Sequence, residues 1–197
     1  MKELSLHIMD VLQNSIGAES SKIKVMVEVG YREKYLAITV EDNGCGMEEE
    51  TLRNSVDPFH TSRTTRKIGL GIPMFKEATE LAEGTFEIES QEGKGTLVRA
   101  VLLNHSIDRQ PLGDLGNTFF LTMISYVQLE LCLELISTEG RYSFNSREHM
   151  KKMKEQGKGD IDAAFEAETL INEKVKDLFG KLLPEMGGDL SGIKGSR

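Results

Sequence analysis

The chain has 197 residues, 39% of them hydrophobic and 28% charged, enough apolar material for one ordinary domain and an appendage. A formal net charge of -8 excludes a nucleic-acid binder that relies on broad counterion release, so any polyanion must be met by a local cluster of cations. The two distant cysteines, Cys45 and Cys132, have neither zinc spacing nor a disulfide framework, no apolar run suits a membrane span, and no leader pattern opens the chain, which together predict a cytoplasmic protein.

Leu4, Ile8, Val11, Leu12 and Ile16 recur at steps of three and four, which predicts an amphipathic helix ending near Gly17-Ala18. Asp10 and Asn14 share one face of it, with His7 a turn earlier. Such a pair is either a solvated face or a site, because a carboxylate and an amide four residues apart present hard oxygens suited to a hydrated magnesium ion or a water. Ser21 to Val29 and Tyr35 to Val40 alternate and flank a charged turn, as a hairpin should. The second strand runs into Glu41-Asp42-Asn43-Gly44-Cys45-Gly46-Met47, where a carboxylate immediately precedes two glycines that admit positive φ and the close approach of a flat ligand. Taken alone, this is equally a turn after a strand. A short helix is expected after Met47.

From Asp57-Pro58-Phe59-His60 onward the apolar periodicity stops. Thr61, Ser62, Arg63, Thr64, Thr65, Arg66 and Lys67 gather four hydroxyls and three cations just before Gly69-Leu70-Gly71. A triphosphate needs this combination, since helix N-termini and loop amides bind anions while Arg and Lys neutralise them; the alternative is a solvated loop. Ile72 to Ala82 predicts a helix with Pro73 tolerated in its first turn, stopped at Gly84. Thr85 to Ser90 and Thr96 to Leu102 predict a second hairpin, joined through Gly93-Lys94-Gly95. Residues 1–104 thus define an α+β class domain, a two-layer α/β sandwich of mixed sheet with helices on one face.

These motifs, in this order, resemble those of the GHKL superfamily, the Bergerat-type ATP-binding fold shared by gyrase B, Hsp90, histidine kinases and MutL. Leu12-Gln13-Asn14-Ser15-Ile16-Gly17-Ala18 resembles the asparagine box, with wording close to MutL-like members, and Asp42-Asn43-Gly44-Cys45-Gly46-Met47 the first glycine box. Asp57-Pro58-Phe59 followed by Thr61 is similar to the phenylalanine box, Gly69-Leu70-Gly71-Ile72 to the second glycine box, and Gly93-Lys94-Gly95-Thr96 to the closing one.

The resemblance implies ATP and Mg2+ as cofactors. Asp42 would accept from the adenine amino group with Thr96 assisting, Asn14 would coordinate magnesium, and Gly69, Gly71 and neighbouring amides would hold phosphate oxygens. Thr61 to Lys67 would form a lid, while Leu12, Ile38 and Phe59 would pack the pocket or core. Asp10 stands where hydrolysing members carry a glutamate base and many histidine kinases an asparagine. With one methylene less than glutamate, it implies a weak base for hydrolysis or phosphotransfer.

Too little sequence precedes Leu4 for a phosphoacceptor hairpin, and His7 and His60 are poor substitutes, so a phosphoacceptor is expected on a protein partner in trans, as in the anti-sigma serine kinases this arrangement resembles. The leading expectation is an ATP-binding regulatory protein with kinase or slow ATPase activity. A non-catalytic ATP-dependent switch and a MutL-like or gyrase-like ATPase fragment are the alternatives, with nucleic acid disfavoured by the acidity.

Residues 105–197 predict a mainly helical extension. His105 to Asp114 forms a polar connector, and Thr118 to Ile136 fits either two strands or a buried helix. Asn145-Ser146-Arg147-Glu148 resembles a capping box before a charged helix to about Gln156. Phe165, Leu170, Ile171, Val175, Leu178, Phe179 and Leu182 predict a long amphipathic helix, packed on its own domain or serving a homodimer or partner, before a frayed tail from Gly187.

Overall fold

The computed structural model describes residues 2–30, 34–56, 70–183 and 185. Six strands form one mixed sheet in the order β3-β4-β2-β1-β5-β6, with helices on one of its faces. The first helix, α1 (Leu4–Gly17), is followed by the antiparallel pair β1 (Lys22–Gly30) and β2 (Tyr35–Asp42), then α2 (Glu49–Ser55), α3 (Gly71–Leu81), β3 (Thr85–Gln91) and β4 (Gly95–Leu103). The second half supplies α4 (Leu115–Ser125), β5 (Glu130–Ser137), β6 (Gly140–Asn145), α5 (Ser146–Glu155) and α6 (Asp160–Phe179).

The period of two along the strands fixes which face is covered. Ile23, Val25, Val27 and Val29 of β1 are buried beneath the helices, while Lys24, Met26 and Glu28 point to the open face. Leu131, Leu133 and Leu135 of β5 repeat the pattern with Glu130, Cys132 and Glu134 opposite. One register step would exchange the two sets, so burial of the aliphatic set specifies the pairing. Lys22 to Glu130 and Lys24 to Glu134, each 2.9 Å, cross the parallel β1–β5 pair on the open side.

Three flanks of α1 do three things. Leu4, Ile8, Val11 and Leu12 enter the core; His7 and Asp10 face α3, where the His7 ring stacks on Phe75 at 5.1 Å. Ser5, Met9 and Gln13 meet α4 through Thr118, Thr122 and Tyr126, each pair 113 residues apart, so α4 runs parallel to α1 in constant register. The region expected to be two strands or a buried helix is therefore one helix followed by one strand, and the strand extends the sheet of the first half. Asn145 caps α5 by accepting from the Arg147 and Glu148 amides, which is the N-cap half of the expected capping box; among the described residues the reciprocal bond from the Asn145 amide to the Glu148 side chain is not made.

The apolar stripe of α6 is spent inside the chain: Ala163, Ala164, Ala167, Ile171, Val175 and Phe179 are buried, while Phe165 stays half exposed beside Phe120. Gly116 lets α4 approach it closely, because a methyl group there would lie 2.4 Å from the Glu168 carbonyl oxygen, and the Asn172 side chain accepts from Gly116 N at 2.9 Å.

The connector grips the start of α1. Pro111 and Leu112 carbonyls accept from the Leu4 and Ser5 amides, at 2.9 and 2.8 Å, satisfying donors that a helix N-terminus leaves unpaired. Arg109, whose side chain is 3% exposed, forms a two-pronged ion pair with Glu185, which also accepts from Leu112 N at 3.0 Å. Burial alone would push the Glu185 carboxyl up, but the Arg109 guanidinium and the Leu112 amide outweigh it and hold the group below its ordinary value. Its contribution is present above the ordinary carboxylate range and is lost as pH falls through the depressed value. Glu185→Gln leaves a buried guanidinium uncompensated and is expected to cost about 3 kcal/mol, read as a lowered urea midpoint at neutral pH; the difference from wild type should shrink under acid.

Candidate nucleotide site

The site forms where the end of β2, the end of α1 and the β3–β4 turn converge. The pairing of Ile23 with Asp42 brings the end of β2 level with the α1–β1 connection. Asp42 is 9% exposed and its carboxylate is held by three donors among the described residues: Ser15 Oγ to Oδ2 at 2.7 Å, Ser20 Oγ to Oδ1 at 3.0 Å and Gly44 N to Oδ1 at 2.8 Å. Neighbouring Asn43 turns outward, and its Oδ1 accepts from the Ser21 and Lys22 amides.

The glycines are required by the backbone. Gly46 has φ +65, and a methyl group on it would lie 2.0 Å from the Gln91 carbonyl oxygen. Gly95 has φ +110, and its methyl group would lie 2.0 Å from the carbonyl oxygen of Asp42. Both contacts weld the β2 loop to the β3–β4 turn, supported by Gly93 N to Cys45 O at 2.7 Å, while Cys45 N to Ala18 O at 2.9 Å ties the same loop to the end of α1. Ser90 Oγ joins the two pieces: it accepts from Met47 N at 2.9 Å and lies 3.0 Å from Gly95 O and 2.9 Å from Thr96 Oγ1.

Asp10 and Asn14 lie on the flank of α1 turned toward α3. Gly71, at the start of α3, sits against Asp10 so closely that a methyl group would lie 2.6 Å from Asp10 Cβ. Burial raises the Asp10 carboxyl above its ordinary value, opposed by the charge of His7. Burial also lowers His7 below the usual imidazole value, although its 3.1 Å hydrogen bond with Gln110 works the other way. Among the described residues the buried Asn14 Nδ2 has no hydrogen-bond partner, an uncommon and costly condition that a ligand or an ordered water would relieve. Leu70 stands at the N-cap of α3 with half its surface exposed; Gly71 and Ile72 are buried in its first turn, where amides lack intrahelical partners and favour anions.

The structure thus brings together Asp42, Gly44, Gly46, Met47 and Thr96 on one side, and Asp10, Asn14, Leu70, Gly71 and Ile72 on the other. Phe59, Thr61, Arg63, Thr64, Thr65, Arg66, Lys67 and Gly69, with His60, lie outside the described residues. Ser15, Ser20 and Ser90 carry the polar framework without having been assigned roles from sequence. Serine is frequent in turns and helix ends, and only the pairing register reveals that Ser20 reaches Asp42. Two surface depressions of about 330 Å3, one against Phe165 and Leu170 of α6 and one on the open sheet face around Met26 and Arg99, contain none of these residues.

Residues 2–106 match the family model described as histidine kinase-, DNA gyrase B-, and HSP90-like ATPase, and the chain belongs to this family. Its sequence is also similar to several kinases. Sporulation kinase C of Bacillus subtilis (strain 168) is 28% identical over 100 residues, 51% of this chain and 23% of that protein. Sensor histidine kinase YclK of the same organism is 30% identical over 96 residues, 45% and 20% of the two chains. Signal transduction histidine-protein kinase AtoS of Escherichia coli (strain K12) is 27% identical over 96 residues, 48% and 16%. The matched stretch therefore spans a quarter or less of these relatives' lengths. Among solved structures, the N-terminal domain of a DNA repair protein superimposes with a TM-score of 0.48 at 13% identity, over 74% of this chain and 52% of that one. The chain carries a histidine-kinase-like ATPase domain, and ATP binding follows from the family. Among the described residues, no helix is long and apolar enough to cross a membrane.

Proposed function

We propose that this chain is an ATP-binding regulatory protein that passes the γ-phosphate slowly to water or to an acceptor on a protein partner. The observation that carries the reading is the buried Asp42 carboxylate, pinned by Ser15, Ser20 and Gly44 N with an acceptor position left over. That position suits the exocyclic amine of adenine, while Thr96 stands beside it on the closing turn. Asn14 would hold Mg2+ through its side-chain oxygen. The Asn14 Nδ2, without a partner among the described residues, fits this role, because no hydrogen bond from that nitrogen holds the amide against rotation. Among the described residues no cluster of three acidic, His or Cys side chains could hold a metal, so the ion would be held by one side chain, waters and the phosphates, the usual preference of magnesium. When bound, Mg2+ supplies charge neutralisation and orientation of the phosphates.

Gly69, Gly71 and the first amides of α3 would meet the phosphate oxygens, and Thr61 to Lys67 would supply the hydroxyls and cations of a closing lid. Asp10 would orient the attacking group. Its half-buried carboxyl and raised affinity for protons suit a base, and its shorter reach than glutamate suits a slow one. The acceptor is assigned to another protein: His7 is 1% exposed and stacked on Phe75, a poor position for a phosphoacceptor. The exposed remainder of the second half, including Phe165 on α6 and Leu121 and Ile124 on α4, is available to a partner or to a second copy.

The test is release and transfer of labelled γ-phosphate. Asp10→Asn is expected to lower turnover by about 100-fold with ATP affinity changed little, the usual loss for a positioned base. Asn14→Ala is expected to abolish the magnesium dependence of binding. Unchanged turnover in Asp10→Asn would remove that residue from the chemistry. Tight ATP binding by the wild type with no phosphate released or transferred, even with partner supplied, would favour a non-catalytic switch.

A further inference from the structure

The three donors on Asp42 leave its two oxygens unequal. An ionised carboxylate presents about four acceptor positions, two on each oxygen. Among the described residues Oδ1 receives both the Ser20 hydroxyl and the Gly44 amide, whereas Oδ2 receives only the Ser15 hydroxyl. Oδ1 is therefore filled by the protein itself, and a single acceptor position remains, on Oδ2. One N–H of an adenine amine can use it. Guanine binds a carboxylate differently, through its ring N1–H and its 2-amino group at once, and this two-pronged contact needs a vacant position on each oxygen.

We propose that Ser20 is a specificity-determining positioning residue, whose hydroxyl occupies the second acceptor position of Asp42 Oδ1 and thereby denies the pocket the two-pronged grip that would accept guanine nucleotides. The proposal rests on the reading of the Asp42 pocket as the purine site. Gly44 and Ser20 act as one unit, since a methyl group on Gly44 would lie 2.6 Å from Ser20 Oγ and displace the hydroxyl. The Gly44 amide cannot be removed by a side-chain change, so Ser20 is the donor through which the sequence sets the count. Its placement also explains why two serines precede β1: Ser21 serves Asn43 through its amide and hydroxyl, and Ser20 serves Asp42. Removing the Ser20 hydroxyl reopens Oδ1, while Ser20→Thr keeps a donor in place.

The experiment is competition of ATP, GTP and ITP against a ribose-labelled fluorescent ATP on wild type, Ser20→Ala and Ser20→Thr. Inosine carries the ring N1–H but lacks the 2-amino group, so it reports a loosened pocket without the two-pronged contact. Ser20→Ala is expected to narrow the preference for ATP over GTP by about tenfold, the worth of one charge-assisted hydrogen bond, with the ATP to ITP ratio unchanged and Ser20→Thr like wild type. A GTP preference that does not move, or GTP and ITP gaining together, would overturn the assignment. Failure of the wild type to bind ATP would sink the purine reading itself, and this proposal with it.

Discussion

Asp42→Asn is expected to weaken ATP binding by about 100-fold or more while leaving the protein folded. The two effects separate because the substitution keeps the shape of the side chain. Oδ1 can stay an oxygen and keep the bonds from the Ser20 hydroxyl and the Gly44 amide, and the Ser15 hydroxyl can rotate to accept from the new amide nitrogen at the former Oδ2 position. What changes is the position left for the ligand: an acceptor becomes a donor, facing the N–H of the adenine amine. Losing a charge-assisted hydrogen bond and leaving two donors opposed costs about 3 kcal/mol, which is about 100-fold in affinity. Titration calorimetry checks the binding and a thermal melt checks the fold. An Asp42→Asn protein that melts like wild type and binds ATP as well would remove Asp42 from adenine recognition.

Gly95→Ala should have the largest effect on stability. At φ +110 an L side chain is strained, and here its Cβ would also lie 2.0 Å from the Asp42 carbonyl oxygen, a backbone atom with no rotamer to escape into. Gly95 opens β4 directly opposite Gln91, and its neighbourhood carries the Ser90 bridge to Met47 and Thr96. Relief would require the β2 loop and the β3–β4 turn to part. The expected cost is about 4 kcal/mol, seen as a lower denaturant midpoint, with ATP binding lost in whatever remains folded. Gly93→Ala is the control two residues earlier in the same turn, since a methyl group there meets nothing within 4 Å and only the positive φ of +76 is strained. It should cost about 1 kcal/mol. Equal losses at the two glycines would mean that the close approach to Asp42 does not matter.

The elements of the first half were legible because each buries one face. Period-three-and-four apolar spacing over Leu4 to Ile16 and period-two alternation over Ile23 to Val29 survive unchanged in α1 and β1. The glycine pattern around Asp42 was legible for a different reason, since residues at +65 and +110 in φ leave few alternatives to glycine. The framework of hydroxyls was not. Ser20 is adjacent to Asp42 only because β1 and β2 pair with Ile23 opposite Asp42, and a hairpin register cannot be read from alternation alone when the turn is long.

In the second half the stretch from Thr118 to Ile136 mixes two periods. Phe119 and Met123 belong to α4 and Leu131, Leu133 and Leu135 to β5, with Tyr126 to Leu129 between them. No glycine or proline marks that boundary, so the two patterns blur into one apolar run. Nor does local sequence tell that β5 lies parallel to β1, because the partners are more than a hundred residues apart. The stripe of α6 was legible as amphipathic, but Ala163, Ala164 and Ala167 take the innermost places near Gly116, and small residues leave a weak apolar signal. Phe165, the most conspicuous member from sequence, sits on the outside.

Every role proposed for the pocket between Asp42 and Asn14 depends on its binding ATP together with magnesium. Titration calorimetry of the wild-type chain with ATP, first in excess Mg2+ and then in a chelator, tests it most directly. One site per chain is expected, with affinity falling at least tenfold when the ion is withdrawn, because the phosphates then meet Asp10 and the site without neutralisation. Absence of heat and of competition by ATP in either condition would contradict it.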